Sequence, residues 1–170
     1  SESPIRQNVF TCRPTLADEA YPCAEEIVSR LARQAYRRPL NERDLEFLMS
    51  FYEEGASGGF EVGIRTALQA ILASPHFVFR FEEAPPNTQP GESYRISDID
   101  LASRLSFFLW GTAPDSELLE VAEQGELSDS QELKNQVLRM LSDRRAESLG
   151  PRFAGQWLRL QDLDKVHPDQ

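Results

Sequence analysis

Few side chains in this sequence combine a reactive type with a useful spacing, and they fall into four groups. Asp98 and Asp100 stand two residues apart just ahead of Arg104. Two carboxylates sharing one site would split their pKa values into an acid and a base. His76, between Pro75 and Phe77 in an aromatic stretch, is of the type that ligates a haem iron or moves protons near neutral pH. Cys12 and Cys23 bracket a short segment containing Pro14 and Pro22. Arg30, Arg33 and Arg37 recur at three- and four-residue spacing, which puts them on one side of a helix.

Each group also has a plainer reading. Acids in a first turn offset the positive end of the helix dipole, and Asp100 and Arg104 have the i, i+4 spacing of a surface pair. Cap and surface pair are therefore preferred to catalysis there. A lone histidine is more often a hydrogen-bonded core or boundary residue than a ligand, and His167 in the polar tail is the weaker of the two. The arginine run sits in an acidic chain, where it pairs with Glu25, Glu26 and their neighbours or docks against an acidic partner. Ser103 and Ser106 have no histidine near them in sequence. Asp162, Asp164 and Asp169 do not follow the spacing of an EF-hand loop. No G-x-S-x-G elbow, P-loop, G-x-G-x-x-G or H-E-x-x-H pattern is present.

The cysteines carry more. The stretch between them is too irregular to be held by regular hydrogen bonding, and closing so short a loop stabilises by about 3 kcal/mol in the chain-entropy model. A Cys12–Cys23 disulfide is expected, with two buried free thiols as the alternative. Such bonds persist in oxidising compartments, so the expected location is extracytoplasmic, periplasmic or secreted. Zinc needs about four ligands, and the two histidines lie far from the cysteines with no ligand spacing. Without a Cys-x-x-Cys-His motif, the chain is expected to attach no c-type haem, and no cofactor or metal is assigned to it.

Composition narrows the partners. The formal charge is -10 over 170 residues, and 40 % of the residues are hydrophobic, enough for one domain or two small ones. Acids outnumber bases 13 to 9 ahead of Pro86 and 15 to 9 from there on. No half offers the basic face a nucleic acid needs. No run approaches the 18 or more apolar residues of a membrane span. Arginine outnumbers lysine 16 to 2, which reads as the codon usage of a GC-rich genome rather than as a binding function.

The elements that must position these residues are helical by pattern. Residues 1–21 read as an extended lead-in, with Val9-Phe10-Thr11 as the end of a strand. From Pro22, a first-turn proline, Ile27, Leu31 and Ala35 mark a helix that stops before Pro39. Asn41 and Asp44 cap a second helix with Leu45, Leu48, Met49 and Tyr52 in its stripe. The Gly55–Gly59 cluster reads as a plain turn. Phe60, Ile64, Ala67, Leu68, Ile71 and Leu72 start a third helix, and Ser74-Pro75 begins a fourth through HFVFRFEE. Residues 84–93, with three prolines and a glycine, are the linker. Beyond it, Ser97 and Asp100 form a capping-box-like start for a helix with Leu101, Leu105, Phe108 and Leu109 inward, stopped by Gly111. Pro114-Asp115 opens a helix burying Leu118, Leu119 and Ala122. Ser128 and Gln131 cap another with Leu133, Val137, Leu138 and Leu141. A last one, near Asp143 to Leu160, stacks Ala146, Leu149, Phe153, Trp157 and Leu160, and Gly150-Pro151 should kink or split it.

Four segments in the right order carry a family resemblance: AYRRPL at 35–40, GFEVGIRTALQAILASPHFVFR at 59–80, YRISDIDLASRLSFFLW at 94–110 and FAGQWLRL at 153–160. Together they resemble the paired helical domains of unknown function in large planctomycete and myxobacterial proteins, which often also carry a c-type cytochrome module. The resemblance implies that the chain is a piece of a longer protein. The fold expected is all-α: about six to eight short helices as an irregular bundle in two subdomains, 22–83 and 94–170, after the lead-in 1–21 and around the linker 84–93. Phe60, Phe77, Phe81, Phe107, Phe108, Phe153 and Trp157 are expected at the seam, with Trp157 buried against the 94–110 helix. By this reading the chain is a non-catalytic module of a larger cytochrome-associated protein. Its partners are other modules of the same polypeptide or a c-type cytochrome, and Arg30, Arg33, Arg37, Trp110 and Trp157 are the interaction candidates. An enzyme, redox or hydrolytic, acting on a polymer or carbohydrate through His76, Asp98, Asp100 and Arg104 in a cleft between the subdomains is the rival. A subunit that docks a haem protein is the third reading.

Overall fold

The rhythm of Ala24, Ile27, Val28 and Ala32 calls for a helix with one buried face. In the computed structural model, which describes residues 4–82, 84–89, 91–160 and 162, with side chains from Arg6 onward, all four are fully buried. The chain divides into two compact units after Tyr94. Nine α-helices, three short 3-10 turns and no strand are found among the described residues.

In the first unit, α1 is Pro4–Val9, and a 3-10 turn at Ala17–Glu19 leads into α2, Ala20–Tyr36. The expected strand end at Val9-Phe10 is therefore replaced by a helix terminus, with the Phe10 amide donating to the Arg6 carbonyl at 2.9 Å. α2 ends at Arg37, whose φ of 59° is left-handed, just before the residue that Pro39 forces out of the helical region. α3 is Glu42–Ala56 and starts as expected: the Asp44 amide donates to Asn41 Oδ1 at 2.9 Å and the Asn41 amide to Asp44 Oδ2 at 3.0 Å. α4 is Phe60–Ala73, entered through Gly59 at φ 111°, a conformation that favours glycine.

Fully buried Leu48, Met49, Tyr52, Ile64, Ala67 and Ile71 close the first core against α2. Gly55 belongs to this packing rather than to a turn. A side-chain carbon there would lie 2.9 Å from the Gly63 backbone, and one on Gly63 would lie 2.6 Å from the Tyr52 ring. The glycine pair therefore sets how closely α3 and α4 approach. Leu72, expected inside, is half exposed because Gly63, Ile64, Ala67 and Ile71 define the inward stripe. α5 is Pro75–Val78, capped by Ser74, whose hydroxyl accepts from the His76 amide. The expected helix through HFVFRFEE stops there, and Phe79 is extended.

In the second unit, α6 is Asp98–Leu109, α7 Ser116–Glu123, α8 Ser130–Ser142 and α9 Leu149–Trp157. 3-10 turns at Glu126–Ser128 and Arg144–Ser148 lie before α8 and α9. The core gathers Ala102, Leu109, Trp110, Leu118, Ala122, Leu127 and Met140. Ser97 caps α6 and Asp115 caps α7, as their spacing predicts. α8 is capped by Asp129 rather than Ser128, with Oδ1 accepting from the Gln131 and Glu132 amides. Its inward face is Leu133, Gln136, Val137 and Met140, so Leu138 and Leu141, expected inside, face outward. The last helix splits between Ser148 and Leu149, which puts Pro151 in the first turn of α9, where its missing N–H costs nothing.

Candidate functional site

The AYRRPL segment is where the first unit concentrates its polar chemistry. The Arg37 side chain is buried, 7 % exposed, and its guanidinium gathers the carbonyls around the ends of two helices. Nη1 donates to Ala35 O at 3.0 Å and Phe77 O at 3.3 Å, and Nη2 to His76 O and Phe79 O at 2.8 Å each. Orphan carbonyls at helix C-termini need such donors. Burial, helped by the charge of Arg80, pulls the Arg37 pKa below its ordinary value. Arg38 makes a two-pronged pair with Asp44, at 2.7 and 3.1 Å, and lies over the Tyr36 ring. The paired guanidinium, more than the capping contact, holds Asp44 below the usual carboxylate range.

His76 is exposed at the edge of this junction, its ring centroid 5.4 Å from Tyr36 and 5.8 Å from Phe81. It is the backbone carbonyl of His76 that the junction uses. Of the arginine run, Arg30 donates through Nη2 to the carbonyls of Asn8 and Val9, both at 2.9 Å, and Arg33 is half buried. Arg30 and Arg37 thus face backbone carbonyls, and the buried Arg37 presents no interaction surface.

In the second unit, Asp98 and Asp100 go separate ways. Asp98 accepts from the Ser128 amide and hydroxyl, both at 2.9 Å, tying the start of α6 to the turn before α8. Asp100 accepts from the Ser97 hydroxyl at 2.7 Å while its amide is capped in return. Arg104 is exposed. The two carboxylates are taken up by different partners.

The densest ionic cluster, missed at the level of sequence, surrounds Trp110. This residue is 4 % exposed and donates Nε1–H to Met140 O at 2.8 Å, so it is a core residue and not an interaction anchor. Arg145 lies over its indole, Cζ 3.5 Å from the ring centre. Asp115 receives both prongs of Arg139 at 2.8 and 3.0 Å and Arg145 at 3.1 Å. Glu117 completes the cluster on Arg139 Nε at 2.9 Å. Burial pushes the Asp115 pKa up, but Arg139, the Leu118 amide and Arg145 outweigh it and leave it below the ordinary value. Arg145, with its own amide, holds Asp143 at about 2. Every charge here has an opposite partner, so the cluster fastens α7, α8 and the turn before α9 rather than holding a reactive group. The signal was present in the sequence as Asp115, Arg139 and Arg145 at no local spacing, which only a tertiary structure can connect.

The end of this unit has the opposite character. None of the residues of α9 is buried. Trp157 is 72 % exposed and stacked on exposed Phe153 at 5.9 Å, with Leu158 and Leu160 also exposed. The expected burial of Trp157 is therefore overturned: α9 is held through Leu149, which packs on the core, and through Arg152. That side chain donates to Phe107 O, Phe108 O and Ser148 O at 3.0 to 3.2 Å. Phe108 is likewise exposed, not core.

Cys12 and Cys23 form a disulfide, their Cα atoms 5.9 Å apart. Neither is a free thiol. His167, Asp164 and Asp169 lie outside the described residues, among which no cluster of three or more His, Cys, Asp or Glu side chains is placed to hold a metal ion. No described helix is long and apolar enough to cross a membrane.

Two family models match this chain in sequence order. Residues 23–82 match PSD5, a protein of unknown function (DUF1595), and residues 96–170 match PSD4, a protein of unknown function (DUF1592). These are two matches to domains of unknown function that are known as paired domains, and each falls within one of the two compact units. No curated protein and no solved structure matches it.

Proposed function

We propose that this chain is a non-catalytic helical docking module of a larger, extracytoplasmic, cytochrome-associated protein. The observation that carries the reading is the outward apolar surface of α9 and the turn that follows it, where Phe153 and Trp157, then Leu158 and Leu160, are all exposed. Exposed aromatic clusters of this kind mark interaction sites, and tryptophan is enriched among residues that dominate binding energy. The disulfide supports an oxidising compartment. The engagement of Asp98, Asp100, Asp115 and Arg37 in structural contacts argues for a module that binds rather than reacts. The occupant proposed for the α9 face is a c-type cytochrome module.

Haem quenches tryptophan emission at short range, which supplies the test. The chain is titrated with a purified c-type cytochrome while tryptophan fluorescence is recorded, in parallel with Trp157→Phe. Saturable quenching in the parent chain, lost in the variant, is expected. Quenching that is equal in both, or absent in the parent, would remove the cytochrome reading. Binding by a c-type cytochrome that leaves Trp157 emission unchanged would move the contact away from α9.

A further inference from the structure

The disulfide holds a segment that contributes no buried side chain to the core. No side chain from Arg6 to Glu19 is buried, while the fully buried side chains of the first core come from α2, α3 and α4 alone. Val9, Phe10 and Cys12 only lean on that core. The polar ties are exposed. Arg6 and Arg13 share Glu61 at 2.6 and 3.1 Å, with all three side chains more than two-fifths exposed, and Thr11 reaches Glu26 at 3.2 Å. Such pairs contribute little in water. Arg30 caps the carbonyl end of α1, and the Arg6 and Arg13 guanidiniums lie over the Phe10 ring at 5.4 and 4.9 Å, with Phe60 6.4 Å from it. Residues 15–19 form a separate knot, in which Glu19 accepts from the Thr15 amide and hydroxyl and the Leu16 amide, and this knot continues directly into α2.

We propose that residues 6–14 are a redox-released strap, latched onto α2 by the Cys12–Cys23 bond and freed by reduction while the α2–α4 core stays folded. The reductant is a dithiol. Its thiolate attacks the Cys12 sulfur, the more accessible of the two since Cys23 is only 8 % exposed. The S–S bond breaks, Cys23 leaves as thiolate and takes up a proton, and the second thiol of the reductant resolves the mixed disulfide. Two electrons and two protons pass to the protein, and the reductant ends as its own disulfide. The strap then swings from the knot at residues 15–19, uncovering Phe60, Glu61 and the guanidinium of Arg30. Arg30 Nε, already buried without a hydrogen-bond partner, gains access to water, which favours the open state.

Losing a closed loop of this length shifts the strap's opening equilibrium by about 100-fold in the chain-entropy model. Amide hydrogen exchange read by mass spectrometry on the full chain, before and after treatment with a small dithiol, tests this. Protection of the amides around Phe10 should fall on the order of 100-fold while those around Ile27, Leu48 and Ile64 keep theirs. The double variant Cys12→Ser, Cys23→Ser should reproduce the reduced pattern without any reductant. Unchanged protection around Phe10 would show that the surface contacts suffice and overturn the latch. Equal loss in strap and core, or a double variant that does not fold, would make the disulfide a global staple and overturn it as well.

Discussion

Replacing Trp110 by phenylalanine isolates the contact on which the second unit turns. The ring stays aromatic and apolar, but the Nε1–H that donates to Met140 O at 2.8 Å is gone, and the carbonyl keeps only the longer bond from the Asp143 amide at 3.3 Å. Losing one such hydrogen bond costs about 0.5–1.5 kcal/mol, and the smaller ring weakens the contact with Arg145 at 3.5 Å, worth about 0.5–2 kcal/mol. Taken together, roughly 1–3.5 kcal/mol should be lost, against about 5–15 kcal/mol for a whole domain. For a domain of this size each kcal/mol moves Tm by about 4–8 °C, so a fall of more than about 4 °C in the second unit's transition is expected. Circular dichroism and calorimetric melts measure it, and Trp157→Phe, at the exposed position, serves as the control. A Trp110→Phe melt within about 2 °C of the parent, where surface changes usually fall, would refute the placement of the indole and the network built on it.

Acid should loosen the same cluster. Asp143 and Asp115 are held below their unfolded values, Asp143 at about 2, so their stabilisation is complete above about pH 4 and is lost as pH falls toward 2. Tm measured from pH 5 to pH 2 should drop across that window, and Asp143→Asn should flatten part of the drop. At Gly63 an alanine Cβ would strike the Tyr52 carbonyl at 2.8 Å, backbone that cannot step aside. Gly63→Ala should therefore cost about 1–3 kcal/mol in a denaturant titration. Gly155→Ala, in α9 with open space around it, should instead stabilise by roughly 0.5–1 kcal/mol.

Local rules in the sequence were enough for the helix starts. Asn41 with Asp44, Ser74 with Pro75, Ser97 with Asp100 and Asp115 ahead of Leu118 all cap as their spacing predicts. The disulfide too follows from spacing and irregular surroundings. What spacing does not reveal is which of two apolar stripes faces the core. On α8, Gln136 and Met140 turn inward in place of Leu138 and Leu141, because Gln136 completes the ionic cluster by hydrogen bonding Arg139 and Glu132. On α9, the stack of Phe153 and Trp157 has the pattern of a core and the placement of a surface. Periodicity says that a helix is two-faced; it does not say what covers the apolar face. The contacts of Arg30 and Arg37 escape the sequence for a related reason, since hydrogen bonds to distant backbone carbonyls leave no trace in local spacing.

The arginine end-caps bear on how this sequence is free to drift. Arg30 collects two carbonyls, Arg37 four and Arg152 three. That is a task for a planar fork of five donors, and a lysine ammonium, a compact point charge on a flexible stem, does not match it. At an exposed position such as Arg144 an exchange of arginine for lysine changes little that the fold depends on. At these three it removes the clasp from a helix end. Among relatives from genomes of different base composition, arginine should therefore give way to lysine freely on the surface and hold at these three positions, where the constraint is geometric and not mutational.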